Sequence, residues 1–470
     1  VTRMKRGRWV HRLLVCALVG AGALAVGDAS TPAEPVQAQA AGLGAGGEYH
    51  PVTPARIFDS RPPGINDVAP AGKKPTNRNG ADFTVRVAGR GGLPADPADM
   101  LAVALNVTVV EPTTKGWLAV RPAGAPVADA SLVNFEANSN VPNMTIVGVN
   151  GAGDVTVRLR TGATGRAHVL IDVFGWVSTS GYDGPTADDG ARLVPYGPAR
   201  LLDTRQQNRP LERRESRALQ VLGARTFQPT STIPNRSSID AVLINLTGVN
   251  NARGSQNAST FLAAANERLT ERTVTTSNTN LVRGEVKANL ALVPLDANGR
   301  IHIYNHNGRT DVVVDIVAYF EVIDGDTTAG RIVPLDAPFR AFDTRGAAFG
   351  NVPLGFGSIE DWSFEEFAGS VTMPGSSLDL SEQSALIGNL TGTDLGRLYA
   401  SQPVSTYLTA FPGGATRPAS SNLNLTENRS VPNMALLRYG SDGGDDYVVQ
   451  VYNHNGTTHY LFDVTAVVLK

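Results

Sequence analysis

Arginine and aspartate recur together three times at one spacing: "PARIFDSR" (Pro54 to Arg61), "PARLLDTR" (Pro198 to Arg205) and "PFRAFDTR" (Pro338 to Arg345). A guanidinium offers a carboxylate two parallel N–H donors, so this pattern is that of a charge clasp. The clasp candidates are Arg56, Asp59 and Arg61, then Arg200, Asp203 and Arg205, then Arg340, Asp343 and Arg345. Along an extended strand residues two apart share a face, which sets Ile57, Asp59 and Arg61 on one side and Arg56 with Phe58 on the other. The expected role is a buried ion pair closing a sheet edge, because partly buried charges need partners. The alternative is a carboxylate that binds a ligand.

Amides follow the same rhythm. The apolar runs "LAVALNVTVV", "AVLINLTGV" and "ALIGNLTGT" each hold one asparagine: Asn106, Asn245 and Asn389. Further along, asparagines pair nine residues apart: Asn134 with Asn143, Asn280 with Asn289, Asn424 with Asn433. An amide can satisfy several backbone groups where a loop crosses a sheet, and the same groups bind sugar hydroxyls. Trp117, Phe261 and Tyr407, each followed by Leu, mark one aromatic position per repeat. They suit core packing or, alternatively, a sugar-stacking platform.

Catalytic signatures are missing from the sequence. There is no H-E-x-x-H, no G-x-S-x-G and no candidate nucleophilic cysteine. His306 and His454 occupy the turn "YNHNG", where the first repeat has Ala163; His168 and His459 share a later position, where the second repeat has Asp311. A catalytic base is not expected to vanish from one unit in this way. "GLGAGG" (Gly42 to Gly47) matches G-x-G-x-x-G without the strand and helix that motif requires. "GSDGGDD" lacks calcium-loop spacing. No catalytic residue, cofactor or metal site is therefore expected.

The elements that must carry these residues read as β. "DVTVRLR" and "GRIHIY" alternate apolar and polar residues, the pattern of half-buried strands. Asn307-Gly308 and Asn455-Gly456 are hairpin signals. "HVLIDVFGWV" and "VVVDIVAYF" are continuously apolar, as strands covered on both faces are. In all three repeats an aspartate (Asp172, Asp315, Asp463) falls seven residues after a turn glycine. Units near 140 residues are too long for propeller blades. The expected fold is therefore all-β: three tandem β-sandwich modules of about 140 residues joined by short linkers. Their bounds are 49–177, 193–322 and 332–470, with "STSGYDGPTADDGA" and "DGDTTAG" letting them string out like beads.

Ahead of the modules, four basic residues among Lys5 to Arg12 precede "LLVCALVGAGALAV", and "AQA" ends at Ala40. This is the pattern of an export signal over residues 1–40, followed by a flexible leader over 41–48. The apolar run is short for a membrane span. Cys16 lies inside it, so the mature chain is expected to be cysteine-free. Cleavage would leave a net charge of −5, and the sequence shows no basic stripe for nucleic acid. The chain stops at Lys470 after a strand-like run, and no C-terminal sorting tail is expected.

At "TPARIFDSR", "SNLNLTENRSVPN" and "YNHNGTTHYLFDVTAVV" the chain resembles the "PARLLDTR" repeat module of exported actinobacterial surface and secreted proteins. The resemblance covers nearly all of the chain after the leader. It implies β-rich appendages, often beside a hydrolase domain, without established activity of their own. The first repeat departs from it at Gly162 and Thr164, where the others have asparagine. The expected function is that of a non-catalytic protein, secreted or held non-covalently to the cell envelope, with no membrane span after signal cleavage. Its expected partner is cell-wall or extracellular polysaccharide, or another surface protein, bound through multivalent weak contacts. The alternatives are a secreted hydrolase of unrecognised type using His459, or a structural spacer.

Overall fold

The computed structural model describes residues 3–4, 46–61, 82–128, 130–182, 184, 190–250, 258–325, 327–364, 380–396 and 404–470. The expected export segment and Cys16 lie outside them, apart from Arg3–Met4, which runs parallel to Ile359–Ser363. No α-helix occurs among the described residues.

Each repeat supplies two antiparallel sheets of four strands. In the first repeat the inner sheet runs Tyr49–Asp59, His168–Ser178, Met100–Val110, Val141–Gly148. Its outer sheet runs Phe83–Arg86, Asp154–Thr161, Gly116–Pro122, Val133–Phe135. The other repeats reproduce both orders, and a third-repeat strand Gly440–Asp442 adds to the last outer sheet. The outer strand Asp154–Thr161 keeps a partly exposed pattern. By contrast, Met100–Val110 and His168–Ser178 are buried at every position. Continuous burial means that both faces of the inner sheet are covered.

The second face is covered by the other repeats. Leu101, Phe174, Leu243, Phe320, Ile387 and Val468 belong to one apolar core shared by all three. Three further cores lie between the two sheets of each repeat. The result is a closed, β-propeller-like arrangement of six small sheets, two per repeat, to which the second repeat adds a two-stranded sheet of Arg225–Phe227 and Thr230–Thr232. It differs from blades of four consecutive strands because each sheet interleaves strands from across its repeat.

This overturns the expectation of three tandem β-sandwich modules strung on linkers. The unit length that argued against a propeller-like body misled because each repeat of about 140 residues makes two sheets. The likeness to the "PARLLDTR" repeat module, taken here as three separate β-rich sandwich modules, is corrected with it: the three repeats close into one propeller-like body. Nor is the chain cysteine-free: Cys16 is part of it, and the expectation applied only to a chain cut after Ala40.

The described ends of the leader and of the two linkers join the three repeats at their entries. Gly47 N–H donates to Ile332 O at 3.0 Å, Tyr49 N–H to Ala191 O at 2.8 Å and Leu193 N–H to Gly330 O at 2.9 Å. Glu48 accepts from Arg192 at 3.1 Å and from Arg331 at 3.4 Å. It thus ties the start of the first repeat to the entries of the other two. Position 47 requires glycine, since a Cβ there would stand 1.7 Å from Ser178 O.

Candidate functional site

The clasp forms, with a partner outside the opening motif. Arg56 donates to Asp172 through Nε at 2.7 Å and Nη2 at 3.1 Å. Arg200 does the same to Asp315 at 2.8 and 3.2 Å, and Arg340 to Asp463 at 2.8 and 3.1 Å. The motif aspartates serve the second arginine: Arg61 to Asp59 at 2.6 Å, Arg205 to Asp203 at 2.6 Å, Arg345 to Asp343 at 2.7 Å.

Strict alternation fails in the motif because a register shift, a β-bulge, falls between Arg56 and Phe58, and again at the same place in the other repeats. The extra residue puts Ile57 and Phe58 both in the core and brings Arg56 within 3.5 Å of Asp59. Burial pushes the Asp315 carboxyl up against the pull of Arg200. Burial acts the same way on Asp203, but the Arg205 hydrogen bonds and charge outweigh it and hold that carboxyl below the usual range.

Across the sheet each clasp aspartate pairs in register with an embedded asparagine: Asp172 with Asn106, Asp315 with Asn245, Asp463 with Asn389. These amides join neighbouring repeats in a cycle. Asn289 donates to Asn106 at 3.3 Å, Asn433 to Asn245 at 3.1 Å and Asn143 to Asn389 at 2.8 Å. In return Asn106 donates to Ser277 O at 2.7 Å, Asn389 to Ser131 O at 2.5 Å, and Asn245 to Ser421 O. Arg200 also crosses the boundary, donating to Ala419 O at 3.0 Å. All six asparagines are buried. Asn143, Asn289 and Asn433 are thus committed to joining repeats.

The histidines of the closing strand brace local structure. Ser60 Oγ lies 3.2 Å from His168 Nδ1 and Thr344 Oγ1 lies 3.0 Å from His459 Nδ1, while Thr204 donates to Asp311 at 2.7 Å. Each hydroxyl also accepts from the strand backbone, at Val169, Tyr460 and Val312. His306 stacks on Phe261 at 4.4 Å and His454 on Tyr407 at 4.5 Å, so one ring face of each aromatic is covered.

Trp117 differs. It pairs in register with Asn134, and both line an open cavity of about 1190 Å³. The cavity forms where the equivalent loops 135–141, 282–287 and 426–432 of the three repeats meet. Asn424 also lines it; Phe261, Tyr407 and Asn280 do not. Asn134 and Asn424 are partly buried, each with a local serine hydroxyl as acceptor, at 3.0 and 3.4 Å. Lys115, Arg160, Arg283, Lys287 and Arg429 face three carboxylates, Glu136, Glu285 and Asp394, in the lining. Burial pushes the Lys287 ammonium below the usual lysine range; Glu285 opposes this and Arg429 adds to it. Sequence reading singled out Trp117 but missed Lys287, whose only signal was a cation where the other repeats have valine.

Among the described residues no group of three or more His, Cys, Asp or Glu is placed to hold a metal, and no helix is long and apolar enough to cross a membrane.

No family model matches the chain, and no curated protein matches it. Among solved structures it is similar to the triple jelly roll of an archaeal virus turret, at 10% identity and a TM-score of 0.17, over 90% of this chain and 91% of that one. The tandem CBM22 domains of Xyn10C from Paenibacillus barcinonensis match at 11% identity and a TM-score of 0.15, over 57% and 98%. The M60 catalytic domain with two CBM51 domains from Clostridium perfringens ZmpB matches at 7% identity and a TM-score of 0.16, over 83% and 33%. These are loose likenesses, and no function is read from them.

Proposed function

We infer that the protein is a non-catalytic, exported binding protein for envelope or extracellular polysaccharide. The observation that carries this reading is the cavity where three equivalent loops meet, with Trp117 beside Asn134 in its wall and Asn424 also lining it. An aromatic face with nearby amides is a common solution for a sugar ring and its hydroxyls. Export rests on the basic and apolar stretch before Ala40. The multivalent array of free modules is replaced by a closed body with a cavity shared by all three repeats. His459, the base of the rival hydrolase reading, is engaged with Thr344 in an arrangement that the second repeat builds with Asp311 instead.

The test is co-sedimentation of the protein, cut after Ala40, with isolated cell walls and insoluble polysaccharides, with the supernatant assayed for released sugar or peptide. Binding without release, weakened at least tenfold by Trp117→Ala at unchanged melting temperature, is expected. Release abolished by His459→Ala would establish the hydrolase instead, and no binding to any polymer would leave the spacer.

A further inference from the structure

The positions two residues before Asn143, Asn289 and Asn433 are Val141, Lys287 and Val431, and all three line the cavity. Two repeats show that valine suffices for the strand at this point. The second repeat has instead the only lysine between Lys115 and Lys470. Removing an ammonium from water is costly unless a counter-charge or hydrogen bonds replace the solvent. The Lys287 side chain is partly buried, and its ammonium, which feels the charges of Glu285 and Arg429, makes no hydrogen bond or close ion pair with the described residues. The carboxylate beside it in sequence, Glu285, is already engaged: it lies 3.6 Å from Arg429 and accepts from Val282 N–H at 2.9 Å. Arg283 and Arg429 open onto the same space, and cations outnumber carboxylates in the lining. A small oxyanion supplies the missing charge directly.

We propose that the cavity is an oxyanion site with Lys287 Nζ as its principal charge partner, and that its ligand is an acidic saccharide carrying a carboxylate or phosphate. The saccharide half rests on the polysaccharide reading above; the oxyanion half does not. A cavity of about 1190 Å³ is large enough for sugar as well as its acid group.

Isothermal titration of the full chain cut after Ala40 uses four probes: a galacturonate oligomer, a phosphorylated glucan oligomer, an uncharged glucan oligomer of equal length, and inorganic phosphate alone. Lys287→Val and Lys287→Arg are the variants. Valine at the two equivalent positions makes Lys287→Val compatible with the strand, and its melting temperature is expected to equal or exceed the parent's. The acid-bearing oligomers bind the parent, the glucan does not, Lys287→Val loses at least tenfold in affinity and Lys287→Arg retains most of it. The tighter of the two acidic oligomers identifies the acid. Unchanged affinity in Lys287→Val, or glucan binding as tightly as the acidic oligomers, overturns the proposal, as does no binding of any probe. Inorganic phosphate binding that depends on Lys287, without oligomer binding, keeps the oxyanion site and refutes the saccharide. Should Lys287→Val fail to fold, Lys287→Gln replaces it with the same expected loss.

Discussion

Replacing Asn143 by alanine cuts the ring of repeats at one joint. In the native protein its amide donates to Leu132 O at 2.7 Å and to Asn389 Oδ1 at 2.8 Å, and its oxygen accepts from Met434 N–H at 3.0 Å. Asn143 is fully buried, so no water takes over these partners without rearrangement. Stranding a buried donor costs about 1–3 kcal/mol, and each other lost hydrogen bond about 1 kcal/mol, which sums to about 3–5 kcal/mol. Asn134→Ala is the control, because Asn134 is partly buried and loses one bond, to Ser131 Oγ, worth about 1 kcal/mol or less. Guanidinium unfolding followed by circular dichroism and tryptophan fluorescence separates the two. A single transition displaced by the larger amount is expected, since the joint belongs to a core shared by all three repeats. Asn143→Ala within 1 kcal/mol of the parent would refute the reasoning. So would independent transitions of which only one moves, because the repeats would then be unfolding alone.

The clasp residues should rank by what each leaves behind. Asp315→Ala strands Arg200, only 9% exposed, with Asp203 at 3.5 Å as its remaining carboxylate, and should cost about 3–5 kcal/mol by urea titration. Asp203→Ala chiefly releases Arg205, which is 48% exposed, and should cost less; the reverse order would contradict this assignment. Asp82, held between Arg121 and Arg158, has its carboxyl pulled down to about 2, mainly by the Arg158 hydrogen bond. Its folded value lies below the unfolded one, so its contribution is complete above about pH 4 and is lost as pH falls through about 2. That contribution is at most about 2 kcal/mol. Asp82→Asn should lower stability at pH 6 and converge on the parent near pH 2, and a constant difference across that range would count against the shift.

The repeat and its β character are plain in the sequence because they are local properties: alternation in "DVTVRLR", turns at Asn-Gly, identical spacings. The clasp was legible as a charge pattern, but its main acceptor was not assigned, although Asp172, Asp315 and Asp463 stood at a constant distance from a glycine. Strict alternation cannot reveal a bulge, so Arg56 was assigned the wrong face relative to Asp59. Closure of the ring left one usable trace, the continuous apolar character of the inner strands. That trace shows a covered face without naming what covers it. The amides Asn143 and Asn389 are 246 residues apart, and no local spacing encodes their hydrogen bond. The cavity was invisible for the same reason, since its wall comes from all three repeats.

The cyclic contact between repeats is heterologous: each unit presents one surface to the neighbour before it and a different one to the neighbour after it. Such a contact closes after a fixed rotation, here after three units, and the same geometry between separate chains would give a homotrimer. Covalent linkage changes what closure permits. In a homotrimer any substitution near the centre appears three times, so one cation would become three mutually repelling ones. In a single chain the three positions are free to differ, and the centre can hold one Lys287 between Val141 and Val431. Linkage also makes the second and third contacts intramolecular, so each joint can be individually weak and still stay formed at any protein concentration.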